Sequence, residues 1–303
     1  MNTARKAERC FGRQIVLLGS SADVDEVPCR AFEQNIVSFL EMHGLAFTGC
    51  GSTYYLSLAA AALYQELTRH AARAVPGGEL LLNTSANVSQ VADMHYLLVA
   101  ISRSGTTTET VKAVEKFKQE NRGDVIVISN YDEALSRLGD VNIVIPKGQE
   151  ESVAQTRSFA SMYVAVTALC ARMAGRDDLL STMGGLQNVG RRLIEKYEPF
   201  AKSIGENLAY DRFYFLGSGI RYGLACEVNL KMKEMTLTHS EPFHFLEFRH
   251  GQQAFAVPGP AQGGEQRLVQ GGGQLGGPSP NCPALLSQKA GTAETKFQGL
   301  VRG

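Results

Sequence analysis

Residues 102–107 combine hydroxyl side chains with a glycine where an apolar run meets a helical pattern. A phosphate dianion bound there would meet unpaired backbone amides and the positive end of the helix dipole. Gly105 would let the backbone approach the ligand closely. The phosphate could also accept hydrogen bonds from the hydroxyl groups of Ser102, Ser104, Thr106 and Thr107. The segment therefore predicts a binding site for a phosphate monoester.

The alternative role for these hydroxyls is helix capping, because Ser and Thr are preferred at helix N-caps. One cap needs one hydroxyl, whereas most positions between 102 and 108 carry one, so ligand binding is favoured. Arg103 is predicted either to reach the ligand or to lie at the surface. The chain has 30 basic and 30 acidic residues, so no net field would attract nucleic acid or a membrane surface.

A second turn of this kind contains Cys50, Gly51, Ser52 and Thr53 and follows the apolar run 45–48. The residues after Gly51 are Ser-Thr-Tyr-Tyr, so the third glycine of a dinucleotide-binding fingerprint is missing. NAD binding is therefore disfavoured. No metal or other cofactor is expected, because the six cysteines form no CxxC pair and no zinc-like cluster with histidine.

Glu227, Lys231 and Glu234 have the spacing i, i+4, i+7, which places them on one face of a helix. A carboxylate on such a face could act as a general base. The residue types alone favour the other interpretation, a solvated stripe of ion pairs in which each pair contributes a few tenths of a kcal/mol.

Short apolar runs alternate with helical patterns over residues 44–175. The runs lie at 45–48, 96–101, 124–129 and 141–145, and the helices at 53–70, 107–121 and 156–174. Runs of this length, followed by turn residues, are typical of strands buried on both faces of a parallel sheet. The predicted fold class is α/β, a flavodoxin-like sheet between two layers of helices.

The chain also contains an internal repeat. Segments 47–56 and 215–224 align without a gap, and Phe, both Gly, Tyr and Leu coincide. The pattern predicts two copies of one α/β fold. In the second copy Ile220 and Arg221 replace Ser52 and Thr53, so only the first copy is predicted to bind the anion.

The expected organisation has five parts. Segment 1–43 lacks the alternating pattern apart from a strand-like run at 14–18, 44–175 is the first domain, and 176–210 is a helical connector. Residues 211–251 form a partial second domain. Segment 252–303 is rich in Gly, Gln and Pro and is predicted to be disordered. Its abrupt start after Gly251 is typical of a shifted reading frame or a truncation.

We expect a cytoplasmic protein, because the sequence shows neither a signal peptide nor an apolar run of membrane-spanning length. The cysteines are scattered along the chain and are expected to be reduced thiols.

With these motifs assembled, the chain resembles the sugar isomerase (SIS) domain family over about residues 45–251. It is similar to the isomerase half of glucosamine-6-phosphate synthase and to amino-sugar-phosphate deaminases and isomerases. The resemblance rests on the motifs at 49–53, 102–107, 153–159, 227–234 and 248–251. It implies tandem SIS domains, each with a five-stranded parallel sheet, of which the second copy is incomplete here.

The resemblance also implies roles for individual residues. Glu234 would move a proton between C1 and C2 of an open-chain sugar, and His250 would assist ring opening from a neighbouring subunit, which implies a homodimer. Glu227 and Lys231 would orient Glu234. The positions implied to surround the phosphosugar are Cys50, Ser52, Thr53, Ser102, Arg103, Ser104, Thr107, Val153 and Gln155.

The expected function is therefore an aldose–ketose isomerase, a deaminase or an ammonia-dependent, aminotransferase-like enzyme acting on a hexose or hexosamine phosphate. A glutamine-hydrolysing half is not expected, because no cysteine follows Met1. The family's proline after the His-Gly pair is absent, and no C-terminal lysine can be nominated to close over the sugar. The alternative function is a non-catalytic phosphosugar-binding module or an inactive remnant.

Overall fold

A computed structural model describes residues 42–88, 94–207, 210 and 212–251. The predictions made for segments 1–41 and 252–303, including the strand at 14–18 and the disordered tail, lie outside the described residues. The chain divides into two compact units, one ending at Phe200 and the other beginning at Ala201.

The first unit contains five strands. They are β1 (Gly44–Gly49), β2 (Ala72–Pro76), β3 (Tyr96–Ser102), β4 (Gly123–Ser129) and β5 (Val141–Val144). Its helices are α1 (Ser52–Thr68), α2 (Gly77–Leu82), α3 (Thr84–Asn87), α4 (Thr108–Gln119), α5 (Arg157–Met173) and α6 (Asp177–Met183). Helix α7 (Leu186–Gly205) spans the boundary between the units along the chain. Short 3₁₀ helices cover Ala134–Leu138 and Pro146–Gly148.

The five strands form one parallel sheet in the order β2-β1-β3-β4-β5. The α/β class and the five-stranded parallel sheet flanked by helices are therefore confirmed. Strand β1 pairs with β2 on one side and with β3 on the other, so the direction of winding reverses between β1 and β3. Because β1 and β3 are parallel neighbours, their carboxyl ends lie next to each other at this reversal.

Two apolar layers cover the sheet, which explains the continuous apolar runs of the central strands. Leu97, Val99 and Ile101 of β3 face a layer that includes Leu56 of α1 and Met162 of α5. Leu98 and Ala100 face the opposite layer, which includes Val114 and Phe117 of α4.

Strand β2 was not predicted from the sequence, and neither were helices α2 and α3. As an edge strand of five residues, β2 has an exposed Arg73 and ends at Pro76, so it lacks the near-continuous burial of the central strands β1, β3 and β4. Charged residues and proline are common on sheet edges.

The second unit contains β6 (Arg212–Gly217), α8 (Ile220–Thr236), β7 (His239–His244) and a 3₁₀ turn (Glu247–Arg249). Strands β6 and β7 are parallel. The glycine before each unit's first long helix has nearly the same backbone torsions, φ 57° and ψ −124° at Gly51 and φ 56° and ψ −130° at Gly219. Both helices have 17 residues and end at a left-handed residue, Arg69 and Leu237. The strand–turn–helix geometry thus recurs with the sequence repeat.

No helix in the described part of the chain is both long enough and apolar enough to cross a membrane.

The carboxylate of Glu150 closes the N-terminal end of α5. Its oxygens accept hydrogen bonds from the backbone amides of Thr156, Arg157 and Ser158 and from the hydroxyls of Thr156 and Ser158. Burial by itself raises the pKa of Glu150, but the hydrogen bonds from Ser158 and Thr156 outweigh burial and hold this pKa below its ordinary value. The ionised carboxyl therefore fixes both the helix start and the preceding loop.

Replacing this carboxylate by an amide in Glu150→Gln should destabilise the chain by roughly 1–2 kcal/mol near neutral pH, the range seen on loss of a helix N-cap. A depressed folded-state pKa stabilises the fold above the ordinary value of 4.5, and this contribution disappears as the pH falls through the folded-state value. Urea titrations should therefore show the wild-type and variant free energies of unfolding converging in acid. Glu151→Gln, at an exposed neighbour, is the control. A difference that does not change with pH would contradict this account.

Candidate functional site

The two hydroxyl-rich turns lie at the same edge of the sheet. One follows β1 and the other follows β3, and these strands are hydrogen-bonded neighbours with Thr48 opposite Ala100. The Cys50 Sγ lies 3.5 Å from the Thr110 Oγ1 in the first turn of α4, which links the two segments directly. Ligands of open α/β sheets bind outside the carboxyl ends of strands where the winding reverses. This edge is therefore the candidate site.

The turn after β3 requires glycine at position 105. Gly105 has φ +67°, and a Cβ there would lie 3.1 Å from the Glu133 Cβ and 3.2 Å from the Tyr131 carbonyl oxygen. Its own carbonyl accepts a hydrogen bond from the Leu135 amide at 2.9 Å. Both the torsion and the close neighbours hold the loop in one conformation.

Some of the predicted hydroxyls are used within the turns. The buried Ser102 Oγ accepts a hydrogen bond from the Gly105 amide at 3.2 Å and lies 3.1 Å from the Thr107 Oγ1. The buried Thr53 Oγ1 accepts from the Cys50 amide and donates to the Cys50 carbonyl. The buried Ser52 precedes it at the start of α1. The hydroxyls of Ser102 and Thr53 thus shape the turns.

The Ser104 hydroxyl is arranged differently. Its oxygen accepts hydrogen bonds from the Thr106 amide at 3.2 Å and the Thr106 hydroxyl at 3.0 Å. The Ser104 oxygen is the acceptor in both bonds, so its own proton can be donated to a ligand. Thr107 occupies the N-cap of α4 but makes no side-chain capping bond. The hydroxyls of this loop are therefore not used to cap the helix.

The loop before α5 lies beside the turn after β3. The Arg103 Nη1 donates to the carbonyl oxygens of Ser152 and Val153 at 2.9 and 3.0 Å. The Val153 residue is 90% exposed. The Gln155 Oε1 is buried without a hydrogen-bond partner in the described part of the chain. Arg103 thus contacts the loop that contains both positions implied to line a sugar.

In the second unit, the structure brings Glu227, Lys231 and Glu234 together on α8. The Lys231 Nζ lies 3.4 Å from the Glu227 Oε1 and 2.5 Å from the Glu234 Oε2. The exposed fraction of the side chain is 5% for Glu227, 16% for Lys231 and 36% for Glu234. The lysine thus links a buried carboxylate to a partly exposed one.

His250 follows the 3₁₀ turn of the second unit and is exposed. No hydrogen bond joins it to Glu234 within the described ranges. The ring of His244 stacks on Tyr222 with centroids 3.7 Å apart and an interplanar angle of 16°, and the His239 Nε2 lies 3.6 Å from the Glu241 Oε1. These two histidines therefore have local packing or ion-pair contacts.

The cysteines Cys50, Cys170 and Cys226 are free thiols. Burial raises the pKa of the Cys170 thiol to about 12, so it is not a nucleophile. Within the described ranges, no group of three or more His, Cys, Asp or Glu side chains could hold a metal ion.

Two residues beside the site were missed from the sequence. The Glu150 carboxylate accepts hydrogen bonds from residues that lie six to eight positions later in the sequence. This spacing matches no standard capping motif. The fully buried Asn130 follows β4, and its Nδ2 donates to the Ile145 carbonyl at 3.1 Å and the Ser161 Oγ at 2.9 Å. A single asparagine after an apolar run carries no signal for contacts this distant in sequence.

The chain is similar to several enzymes of known name. It is 31% identical over 208 residues to a glutamine–fructose-6-phosphate aminotransferase (isomerizing) of Sulfolobus acidocaldarius, covering 68% of this chain and 34% of that protein. The Helicobacter pylori counterpart is 27% identical over 224 residues, covering 70% and 36%. The chain thus spans about a third of the length of the curated relatives it matches.

Solved structures show the same likeness. A glucosamine-6-phosphate deaminase from Thermotoga maritima superposes with a TM-score of 0.60 at 25% identity, covering 80% of this chain and 73% of that one. A tagatose-6-phosphate ketose/aldose isomerase from Escherichia coli shares the fold with a TM-score of 0.72 at 20% identity, covering 84% and 72%.

The SIS domain model matches residues 39–172, which contain the whole five-stranded sheet and both hydroxyl-rich turns. This part of the chain belongs to the SIS domain family and is homologous to the isomerase domain of glutamine–fructose-6-phosphate aminotransferases and to phosphosugar isomerase and deaminase structures.

Proposed function

We propose that the first unit binds a hexose or hexosamine phosphate at the carboxyl ends of β1 and β3. The observation that carries this proposal is the convergence of two hydroxyl-rich turns where the winding of the sheet reverses. The relatives and solved structures described above carry the names of enzymes that act on hexose phosphates or hexosamine phosphates. These names support the same ligand class.

The phosphate would bind at the turn after β3 and at the first turn of α4. The Ser104 proton and the first-turn amides of α4, where the N-cap Thr107 makes no side-chain capping bond, supply donors there. Hydrogen bonds to a charged group contribute about 1.5–3 kcal/mol each, so a few such bonds are sufficient without a basic patch. This suits a chain of zero formal net charge.

Ser104→Ala should weaken the binding of fructose 6-phosphate by roughly tenfold to a hundredfold, because one hydrogen bond to the dianion is lost. Isothermal titration calorimetry measures this change. Ser181→Ala is the matched control, since the exposed Ser181 hydroxyl donates to a carbonyl in its own helix, that of Asp178. Equal affinity in the wild type and the Ser104 variant would contradict the proposed phosphate position.

The second part of the proposal concerns chemistry. Glu234 would be the base that transfers a proton between C1 and C2 of the open-chain sugar, in an aldose–ketose isomerisation or a deamination. Its partly exposed carboxylate is held by Lys231, which is held in turn by the buried Glu227, so the side chain has a defined orientation. His250 would assist ring opening from a neighbouring subunit, which requires at least a dimer.

The second unit would be the start of a second SIS copy. The matching torsions at Gly51 and Gly219, the equal lengths of α1 and α8 and the parallel strand that follows each helix support this assignment. A cytoplasmic location remains part of the proposal.

Glu234→Gln should lower turnover at least a hundredfold, the lower end of the contribution of a positioned general acid–base group, with little change in ligand affinity. The assays are coupled interconversion of fructose 6-phosphate and glucose 6-phosphate, and ammonia release from glucosamine 6-phosphate. Glu206→Gln, at an exposed position of the second unit, is the control. Hexose phosphate binding by a folded wild type without turnover in either assay would favour the alternative, a non-catalytic binding module.

A further inference from the structure

We propose that Arg103 is a positioning residue that holds the loop 150–156 against the turn after β3, and that it does not bind the phosphate itself. This inference rests on the proposed function, because the loop would present Val153 and Gln155 to the sugar. The guanidinium would thereby connect the part of the site that binds phosphate to the part that binds the sugar.

The contacts of Arg103 support this role. One nitrogen, Nη1, donates to two consecutive carbonyls, those of Ser152 and Val153, at 2.9 and 3.0 Å. The main chain of Arg103 is also held, because its carbonyl accepts a hydrogen bond from the Asn130 amide at 3.1 Å. Arg103 is therefore held both at its main-chain carbonyl and at its guanidinium group.

The loop needs such a support because it contains neither helix nor strand between Glu150 and α5. Its far end is fixed where the Glu150 carboxylate accepts bonds from Thr156 and the start of α5. Its near end is fixed by the Tyr131 hydroxyl, which donates to the Glu150 carbonyl at 3.5 Å, and by the Arg157 guanidinium, which donates to the Gln149 carbonyl. Between these two anchors, the carbonyls of Ser152 and Val153 are bound by Arg103 alone among the described residues.

The position of the exposed Val153 then depends on the Arg103 bonds. Because Val153 is 90% exposed, its location is set mainly by its main chain. Gln155 follows two residues later, and its buried Oε1 has no hydrogen-bond partner among the residues that the structure describes, so a donor from a ligand could satisfy it. A shift of the loop would move both positions together relative to the phosphate.

Three variants separate positioning from direct phosphate binding. Arg103→Met removes the donors and the charge, and Arg103→Lys keeps the charge but not the fork of guanidinium donors. The control is Arg73→Met, because the Arg73 Nη1 likewise donates to two consecutive carbonyls, those of Ala86 and Asn87 at 3.4 and 3.1 Å, beside the edge strand β2.

Two measurements on the full chain test the proposal. Hydrogen exchange without ligand should be faster over residues 150–158 in Arg103→Met, with partial recovery in Arg103→Lys and no change there in Arg73→Met. Calorimetry should show inorganic phosphate binding within about twofold of wild type in Arg103→Met, whereas affinity for fructose 6-phosphate falls roughly tenfold, because the loop must then be ordered on binding.

Equal losses of affinity for inorganic phosphate and fructose 6-phosphate would show that Arg103 is a phosphate ligand and would overturn the proposal. Unchanged exchange over 150–158 in Arg103→Met would overturn it as well. A wild type that binds neither compound would refute the proposed function, and the exchange comparison would still decide whether Arg103 holds the loop.

Discussion

The reversal of winding between β1 and β3 is the constraint on which the site depends. Because β1 is flanked by β2 on one side and β3 on the other, the connections that leave β1 and β3 lead to opposite faces of the sheet. Ligands of open α/β sheets bind outside the carboxyl ends of the strands at such a reversal. Every group assigned to phosphate binding belongs to one of these turns or to the helix that follows it.

The residue types at this edge suit an anion held by dipoles and hydroxyl groups. Gly105 is required by its torsion and its close neighbours, and Ser102 and Thr53 close the turns from inside. Ser104 is left with a proton to donate. Some of the hydroxyls thus build the turns, and a loop that is already fixed needs little reorganisation when a ligand binds.

The sequence predicted the central fold because β3 and β4 are buried on both faces and read as continuous apolar runs. It did not predict β2, whose arginine and proline suit a sheet edge but not a periodic pattern. The prediction of a phosphate site at this turn rested on Gly105 and the hydroxyls, because their types are unusual at a strand end, and it stays a prediction. Which hydroxyls are used internally could not be predicted, since that depends on backbone torsions such as that of Gly105. The hydrogen bonds that Glu150 and Arg103 make could not be predicted for the same reason, because both cross loops whose course has no local sequence signal.

The most direct test of the phosphate position is an amide ¹H–¹⁵N NMR titration of the full chain with fructose 6-phosphate. The account predicts that the largest shift changes occur at the amides of residues 104–110, with smaller changes at 51–53. Changes confined to other parts of the chain, or no changes in a folded sample at millimolar ligand, would contradict it.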